Sequence, residues 1–174
     1  KCVKAIAEET KDLDLFFVIG TPVMLDSQQF NCAAAIYKGE ILGLVPKTHL
    51  PNYSEFAEER WFSSADDILV DRINYAGQNV PIGSDLLFAA AGIPDLKIGI
   101  EICEDLWVPI PPSSYQALYG ATLLLNLSAS SETIAIVALL HDICKVNFYR
   151  TSLRNAKNEQ TGQWEKVPYY EIND

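Results

Sequence analysis

The sequence predicts an α/β fold with a mostly parallel, buried sheet layer. Two apolar segments typical of buried strands, 96–102 and 121–127, are separated by a short helical segment over 115–119. Hydrophobic residues make up 49% of the 174-residue chain. A chain of this length and composition can bury the core of about one domain, at roughly 150 residues a domain, so an intrinsically disordered protein is excluded.

The remaining elements follow from local patterns along the chain. Apolar runs bounded by turn-forming glycines predict strands and turns. Residues 46–64, named the lysine loop here, combine polar with aromatic residues, which predicts an ordered functional loop with buried aromatic side chains. The other predicted elements are the end of an amphipathic helix over 3–12, a strand over 13–19 that stops at Gly20, a hairpin of 31–37 and 41–45 with Gly39 in its turn, and a strand over 86–88.

The charge balance and the cysteines exclude several classes of function. The chain carries 23 acidic and 13 basic residues, and its formal net charge is -10. Because such a field repels nucleic-acid phosphates and anionic lipids, we expect no nucleic-acid partner and no membrane partner. Four cysteines at irregular spacing favour reduced thiols in the cytoplasm over a disulfide or zinc framework.

Cys103 follows the predicted strand 96–102 and precedes the acidic residues Glu104 and Asp105. A thiol at such a strand-to-loop elbow is exposed at the sheet edge, where catalytic nucleophiles lie. The alternative is a small buried hydrophobic residue, which is the commoner role of a lone cysteine. Because neighbouring carboxylates disfavour a thiolate, a nucleophilic Cys103 needs a cation nearby.

Lys47 is the candidate for that cation, because it ends an apolar strand and begins the lysine loop. The alternative is an ordinary solvated lysine. Glu55 is close enough in sequence to orient Lys47, whereas the charged residues over 58–60 look like exposed helix charges.

Three longer motifs stand in order along the chain. They are GLVPKTHLPNYSEF over 43–56 with ERWF over 59–62, EICEDLWVP over 101–109 with PPSS over 111–114, and NLSAS over 126–130. These motifs resemble nitrilase-superfamily amidases, in particular the glutamine-hydrolysing (glutaminase) domain of glutamine-dependent NAD+ synthetases. The resemblance covers residues 1–133.

The resemblance implies an α-β-β-α nitrilase-like sandwich with a Glu-Lys-Cys triad that hydrolyses glutamine to glutamate and ammonia. By position, Cys103 is the nucleophile that forms a thioester and Lys47 stabilises the oxyanion. Glu55 supplies a supporting carboxylate. The residues at substrate-contacting positions are Tyr53, Glu104 and Ser130.

The resemblance also implies partners for this amidotransferase portion in NAD biosynthesis. The glutaminase needs no cofactor, and its ammonia passes to a synthetase domain, normally fused C-terminally, which is a ligase that uses ATP and nicotinic acid adenine dinucleotide. The intact family member is expected to be a homo-oligomer.

Two departures from the family pattern lead us to expect a domain truncated at both ends. The family's general-base Glu lies in a Pro-Glu segment upstream of the position matched by Lys1. After Thr133 the family places a basic residue that binds the substrate carboxylate, and Ile136 stands there instead. Since a thiol without its base acylates slowly, we expect this chain to be inactive alone.

Residues 134–174 resemble a different family, the HD-domain metal-dependent phosphohydrolases. Adjacent His141 and Asp142 match the metal-binding pair of that family, although an exposed helix face is the commoner explanation of such a pair. Residues 147–174 also carry balanced charge, with 4 basic and 4 acidic residues. We therefore predict two domains, 1–133 and 134–174, joined at a junction of unrelated gene fragments.

Three hypotheses about function follow. The first is the glutamine-hydrolysing portion of an NAD+ synthetase, which thiol-dependent glutamine turnover would support. The second is an HD-type metal-dependent phosphohydrolase fragment, which bound divalent metal would support. The third is a non-catalytic nitrilase-like interaction module, which the absence of both would favour.

Overall fold

The computed structural model describes residues 1–54, 56–129, 149–157 and 164–172. The chain divides into two compact units, Lys1–Ser128 and Ala129–Asp174. Several residues to which the sequence assigned a role lie outside the described residues: Glu55, Ser130, His141 and Asp142. Ile136, which stands at the position of the family's basic residue, lies outside them as well.

The first unit begins with a short amphipathic helix and a three-stranded antiparallel sheet. Helix α1 (Cys2–Glu9) buries Val3 and Ala7, which lie one turn apart. The sheet consists, in spatial order, of β1 (Phe16–Leu25), β2 (Gln28–Tyr37) and β3 (Glu40–Pro46).

Two-residue turns account for this antiparallel pairing. Lys38 and Gly39 have φ of 48° and 81°, as the predicted hairpin between β2 and β3 requires. Asp26 and Ser27, with φ of 46° and 68°, form an equivalent turn between β1 and β2 that the sequence analysis missed. The prediction that Gly20 stops the first strand is wrong, because Gly20 pairs with Ala33 inside β1.

The second sheet is mixed and carries the cysteine. A separate hairpin of β4 (Arg72–Tyr75) and β5 (Gln78–Pro81) precedes it. The sheet contains β6 (Leu87–Ala89), β7 (Lys97–Ile102) and β8 (Leu123–Leu127), and helix α2 (Pro112–Leu118) lies in the β7–β8 connection.

The prediction of a mostly parallel layer is correct only for the strand–helix–strand unit. Strands β7 and β8 pair in parallel, and the other pairings between named strands in the described residues are antiparallel. Two-residue turns impose the antiparallel pairs β1–β2, β2–β3 and β4–β5, whereas the β7–β8 connection is long enough for a crossover.

The two sheets face each other across an apolar core. Ala33 and Ala35 of β2 pack in one cluster with Ile98 and Ile100 of β7. The opposite face of β2, including Ile36, packs in a second cluster that contains the buried residues of α1. Helix α2 lies on the other face of β7, where the Gln116 amide donates a hydrogen bond to the carbonyl of Ile100.

The second unit contains a two-stranded antiparallel hairpin in its described residues. It consists of β9 (Tyr149–Lys157) and β10 (Trp164–Ile172). Neither helix of the described residues is long enough to cross a membrane.

Candidate active site

The predicted nucleophile lies on a strained turn at the end of β7. Cys103 follows Ile102 directly and begins a 3-10 helix over Cys103–Trp107. Its φ is 49°, in the left-handed region, which costs a residue with a side chain about 1–2 kcal/mol. Cys103 is half-buried. Such local strain is typical of functional sites, because it aims a side chain in a direction that relaxed backbone does not give.

The second predicted residue, Lys47, is almost fully buried at the end of β3. Its side chain is 2% exposed, and its ammonium forms an ion pair with the carboxylate of Glu58. The other carboxylate oxygen of Glu58 accepts a hydrogen bond from Asn31 Nδ2 at 2.9 Å. A buried ammonium requires such a partner, so the alternative of a solvated lysine is wrong.

Glu58 is the residue at this site that sequence reasoning misread. The interpretation of Glu58 as an exposed helix charge is wrong, because its side chain is only 20% exposed and pairs with Lys47. A buried lysine needs a carboxylate partner, and the lysine loop also offers Glu55 and Glu59. Sequence spacing alone does not choose among them. The predicted orienting role of Glu55 stays a prediction.

Asp105 joins the lysine loop to the elbow that carries Cys103. Its Oδ1 accepts the backbone N–H groups of Thr48 at 3.1 Å and His49 at 2.7 Å, and its Oδ2 accepts that of Ile102 at 3.2 Å. Burial raises the pKa of the Asp105 carboxyl, and the hydrogen bonds from His49, Ile102 and Thr48 oppose this shift in part.

This bridge brings close together the chain segments that contain the two predicted catalytic residues. Lys47 directly precedes Thr48, and Cys103 lies two residues before Asp105. The carboxylate therefore holds together the chain segments that carry them. Direct side-chain reach between Lys47 and Cys103 stays a prediction.

Two residues predicted to contact substrate also meet. The hydroxyl of Tyr53 donates a hydrogen bond to Glu104 Oε2 at 2.8 Å. The expectation that the loop aromatics are buried is wrong for several of them, since Tyr53 and Trp61 are 55% and 67% exposed. An exposed tyrosine that orients a carboxylate beside Cys103 is suited to binding a polar ligand.

A cleft of about 550 Å³ is lined in part by Thr48 and His49 of the lysine loop. Its lining includes His49, Asp85, Tyr115 and Gln116, and it includes neither Lys47 nor Cys103. The cleft is therefore not the pocket of the predicted nucleophile.

The cysteines of the described residues differ in environment. Cys2 is exposed, Cys32 is buried and Cys103 is intermediate. Burial raises the pKa of the Cys32 thiol to about 12. Cys103 is the one among these three that lies at a strand end beside the lysine loop.

The second hypothesis about function, a metal-dependent phosphohydrolase fragment over 134–174, requires a metal site. Among the described residues, no group of three or more His, Cys, Asp or Glu side chains could hold a metal ion. The predicted pair His141 and Asp142 lies outside that part of the chain.

Comparison with known proteins gave a consistent set of relatives. No family model matches the chain. It is 43% identical over 129 residues to the glutamine-dependent NAD(+) synthetase of Mycobacterium tuberculosis (strain ATCC 25618 / H37Rv), a match that covers 74% of this chain and 19% of the synthetase. It is 31% identical over 150 residues to that of Thermotoga maritima, with 86% of this chain and 22% of the synthetase covered.

A solved structure agrees with these sequence matches. The crystal structure of a glutamine-dependent NAD(+) synthetase from Cytophaga hutchinsonii superimposes with a TM-score of 0.60 and 27% identity, over 81% of this chain and 22% of that one. The chain thus spans about a fifth of the length of the relatives it matches. Because the Thermotoga match covers 86% of the chain, it includes part of 134–174, where a different family was predicted.

Proposed function

We propose that residues 1–133 are the glutamine-hydrolysing portion of a glutamine-dependent NAD+ synthetase, with a nitrilase-like sandwich. The relatives and the structural neighbour are glutamine-dependent NAD+ synthetases, which supports this assignment. The observation that carries it is the bridge formed by Asp105, which ties the segment carrying buried Lys47 to the strained Cys103 elbow.

The reaction is the hydrolysis of a carbon–nitrogen bond through a thioester. The Cys103 sulfur bonds to the side-chain amide carbon of glutamine while the carbonyl electrons move to oxygen, and a carboxylate base takes the thiol proton. The tetrahedral intermediate then expels ammonia, which carries a proton from that base. Water attacks the thioester carbon, releases the thiol and yields glutamate.

Lys47 stabilises the oxyanion of this intermediate. Its ammonium is withdrawn from water and held by Glu58, so it is preorganised and does not have to reorient during the reaction. Such groups account for a large part of the rate enhancement in acyl transfer, because their charge acts in surroundings of low dielectric constant.

Tyr53, Glu104 and Ser130 contact the glutamine. The Glu104 carboxylate, oriented by the Tyr53 hydroxyl, has the charge and geometry to bind the α-ammonium group of an amino acid. This assignment explains why an exposed loop tyrosine is tied to the residue that follows the nucleophile.

The activity of the 174 residues alone is expected to be nearly zero. None of residues 1–133 matches the family's general-base Glu, and Ile136 stands at the position of its carboxylate-binding basic residue. Loss of general-base catalysis costs about 10²- to 10⁴-fold. The ammonia would pass to a synthetase domain that consumes ATP, in a homo-oligomer of the cytoplasm.

The experiment supplies both groups and measures glutamate release. The chain is extended upstream with a Pro-Glu segment, and the residues after Thr133 are replaced by a family-like continuation with a basic residue. Glutamine turnover is expected in this restored protein, and Cys103→Ala must abolish it. Cys2→Ala is the matched control, since it removes an exposed thiol away from the elbow. Turnover that survives Cys103→Ala would overturn the assignment.

A further inference from the structure

A single amide on β8 contacts the carbonyl of the predicted nucleophile. Asn126 Nδ2 donates hydrogen bonds to the backbone oxygen of Cys103 and to Oε1 of Glu101, both at 3.3 Å. Asn126 lies opposite Glu101 in the parallel register of β7 and β8. The amide therefore connects the C-terminal end of β7 to the strained elbow.

The surroundings leave the amide of Asn126 only one orientation. Its two acceptors are a carboxylate and a carbonyl, so a flipped amide would place its oxygen against both. Glu101 is 3% exposed, and its second oxygen accepts the backbone N–H of Ser113 at 3.1 Å. The carboxylate is thus held from two sides, and Asn126 is held by the carboxylate.

The apolar pattern of β8 does not explain an asparagine at this position. Asn126 interrupts the apolar strand 123–127, and its Oδ1 is buried without a hydrogen-bond partner. A buried oxygen without a partner is destabilising, and in native proteins it calls for a specific explanation. A leucine would continue the apolar pattern of β8, but it would remove the donor to Glu101 Oε1 and to the Cys103 carbonyl. The benefit of Asn126 must therefore lie in what its Nδ2 contacts.

We propose that Asn126 is a positioning residue that keeps the Cys103 elbow in its left-handed conformation by binding the Cys103 carbonyl. This inference rests on the proposed function, in which Cys103 is the nucleophile. The carbonyl and the side chain of a residue turn together when its backbone dihedrals change. Holding the carbonyl therefore holds the direction of the thiol, and a shift of about 1 Å at a reacting atom can reduce rate about 10²-fold.

The first test measures thiol reactivity in the 174-residue chain itself. Iodoacetamide alkylation at pH 8 is quantified for each cysteine by mass spectrometry, with exposed Cys2 as the internal reference. The variants are Asn126→Leu and Asn126→Ala, which both remove the donor. Asn79→Ala, at an exposed position on β5, is the matched control.

We expect the Cys103-to-Cys2 rate ratio to fall about tenfold in both Asn126 variants, because the relaxed elbow turns the thiol toward the apolar cluster it already touches. The control should be unchanged. Buried Cys32 reports unfolding in the same sample, since it reacts only when the core opens. A ratio within twofold of the native chain would overturn the inference, and so would loss of the fold in both variants, because the role would then be structural.

The second test uses the restored protein and separates this inference from the proposed function. Asn126→Leu is expected to lower kcat about 10²-fold while KM changes less than about threefold, because the thiol is misplaced but the substrate contacts remain. If the restored protein hydrolyses glutamine and this variant keeps its kcat, Asn126 has no positioning role. If the restored protein is inactive, the proposed function fails, and the alkylation ratio still decides the role of Asn126.

Discussion

The Asp105 carboxylate accepts the backbone N–H of His49 at 2.7 Å, although the two residues are 56 positions apart in sequence. The carboxylate is 1% exposed, and it also binds the N–H groups of Thr48 and Ile102. One buried side chain therefore sets the relative position of the lysine loop and the Cys103 elbow.

Asp105 should make the stability of the fold depend on pH. Because its pKa is raised above 3.8 in the folded chain, the folded state binds the proton more tightly than the unfolded state. Its contribution to the free energy of unfolding is therefore largest at low pH and falls as pH rises through the raised pKa. Urea unfolding between pH 4 and pH 8 measures this for the native chain against Asp105→Asn, which cannot titrate.

The matched control for this experiment is Asp66→Asn, at an exposed position. This variant measures the effect of removing one exposed carboxylate from the chain. The measured quantity is the free energy of unfolding of the native chain minus that of Asp105→Asn. A value that does not change with pH, or that increases with pH, would contradict the assignment of a raised pKa to Asp105.

Removing Glu58 should leave a buried, unpaired ammonium. We expect Glu58→Ala to lower the free energy of unfolding by about 3–5 kcal/mol, since breaking a buried ion pair strands the remaining charge. Glu59→Ala, next in sequence and exposed, should change it by less than about 0.5 kcal/mol. The double variant Lys47→Met/Glu58→Leu should recover most of the loss, as measured by urea unfolding. Equal effects of Glu58→Ala and Glu59→Ala would show that the pair with Lys47 is not formed.

The cysteines of the native chain should differ in their rates of alkylation. With a pKa of about 12, Cys32 carries a thiolate fraction of about 10⁻⁴ at pH 8, so alkylation at Cys32 should be negligible until the chain unfolds. Cys2 and Cys103 should react in the folded chain. Peptide mapping by mass spectrometry, with and without urea, measures all three. Rapid labelling of Cys32 without denaturant is incompatible with the buried position of β2.

The Tyr53 hydroxyl should affect substrate binding more than chemistry. In the restored protein, Tyr53→Phe removes the hydrogen bond to Glu104 and should raise KM about three- to tenfold, the equivalent of one exposed hydrogen bond, with kcat little changed. Tyr115→Phe, another exposed tyrosine, is the control and should leave both constants unchanged. A fall in kcat alone would place Tyr53 in the chemical step instead.

The proposed junction is open to a direct check. If residues 134–174 were joined to the chain by an assembly error, genomic sequencing reads should fail to run continuously across the codons for 132–136. Continuous reads would show that the junction belongs to the gene. The Thermotoga match already includes part of this region.

Features that depend on neighbours in sequence were predictable. The hairpin around Lys38 and Gly39 follows from turn chemistry, and strands β7 and β8 follow from apolar runs. The turn at Asp26 and Ser27 was missed because neither residue is a glycine, although both adopt positive φ. Gly20 was misread because a glycine inside a paired strand has the same local signature as one that ends a strand.

The sequence by itself determined the α/β class, the strand that ends at Cys103 and the loop that begins at Lys47, because these follow from local patterns of apolar, polar and turn residues. Only the tertiary structure decided which carboxylate pairs with Lys47, and that Asp105 ties the loop to the elbow while Asn126 binds its carbonyl. Those contacts join residues 11, 56 and 23 positions apart. Such partners are selected by burial, where an unpaired charge or N–H is costly, and burial exists only once the sheets have packed.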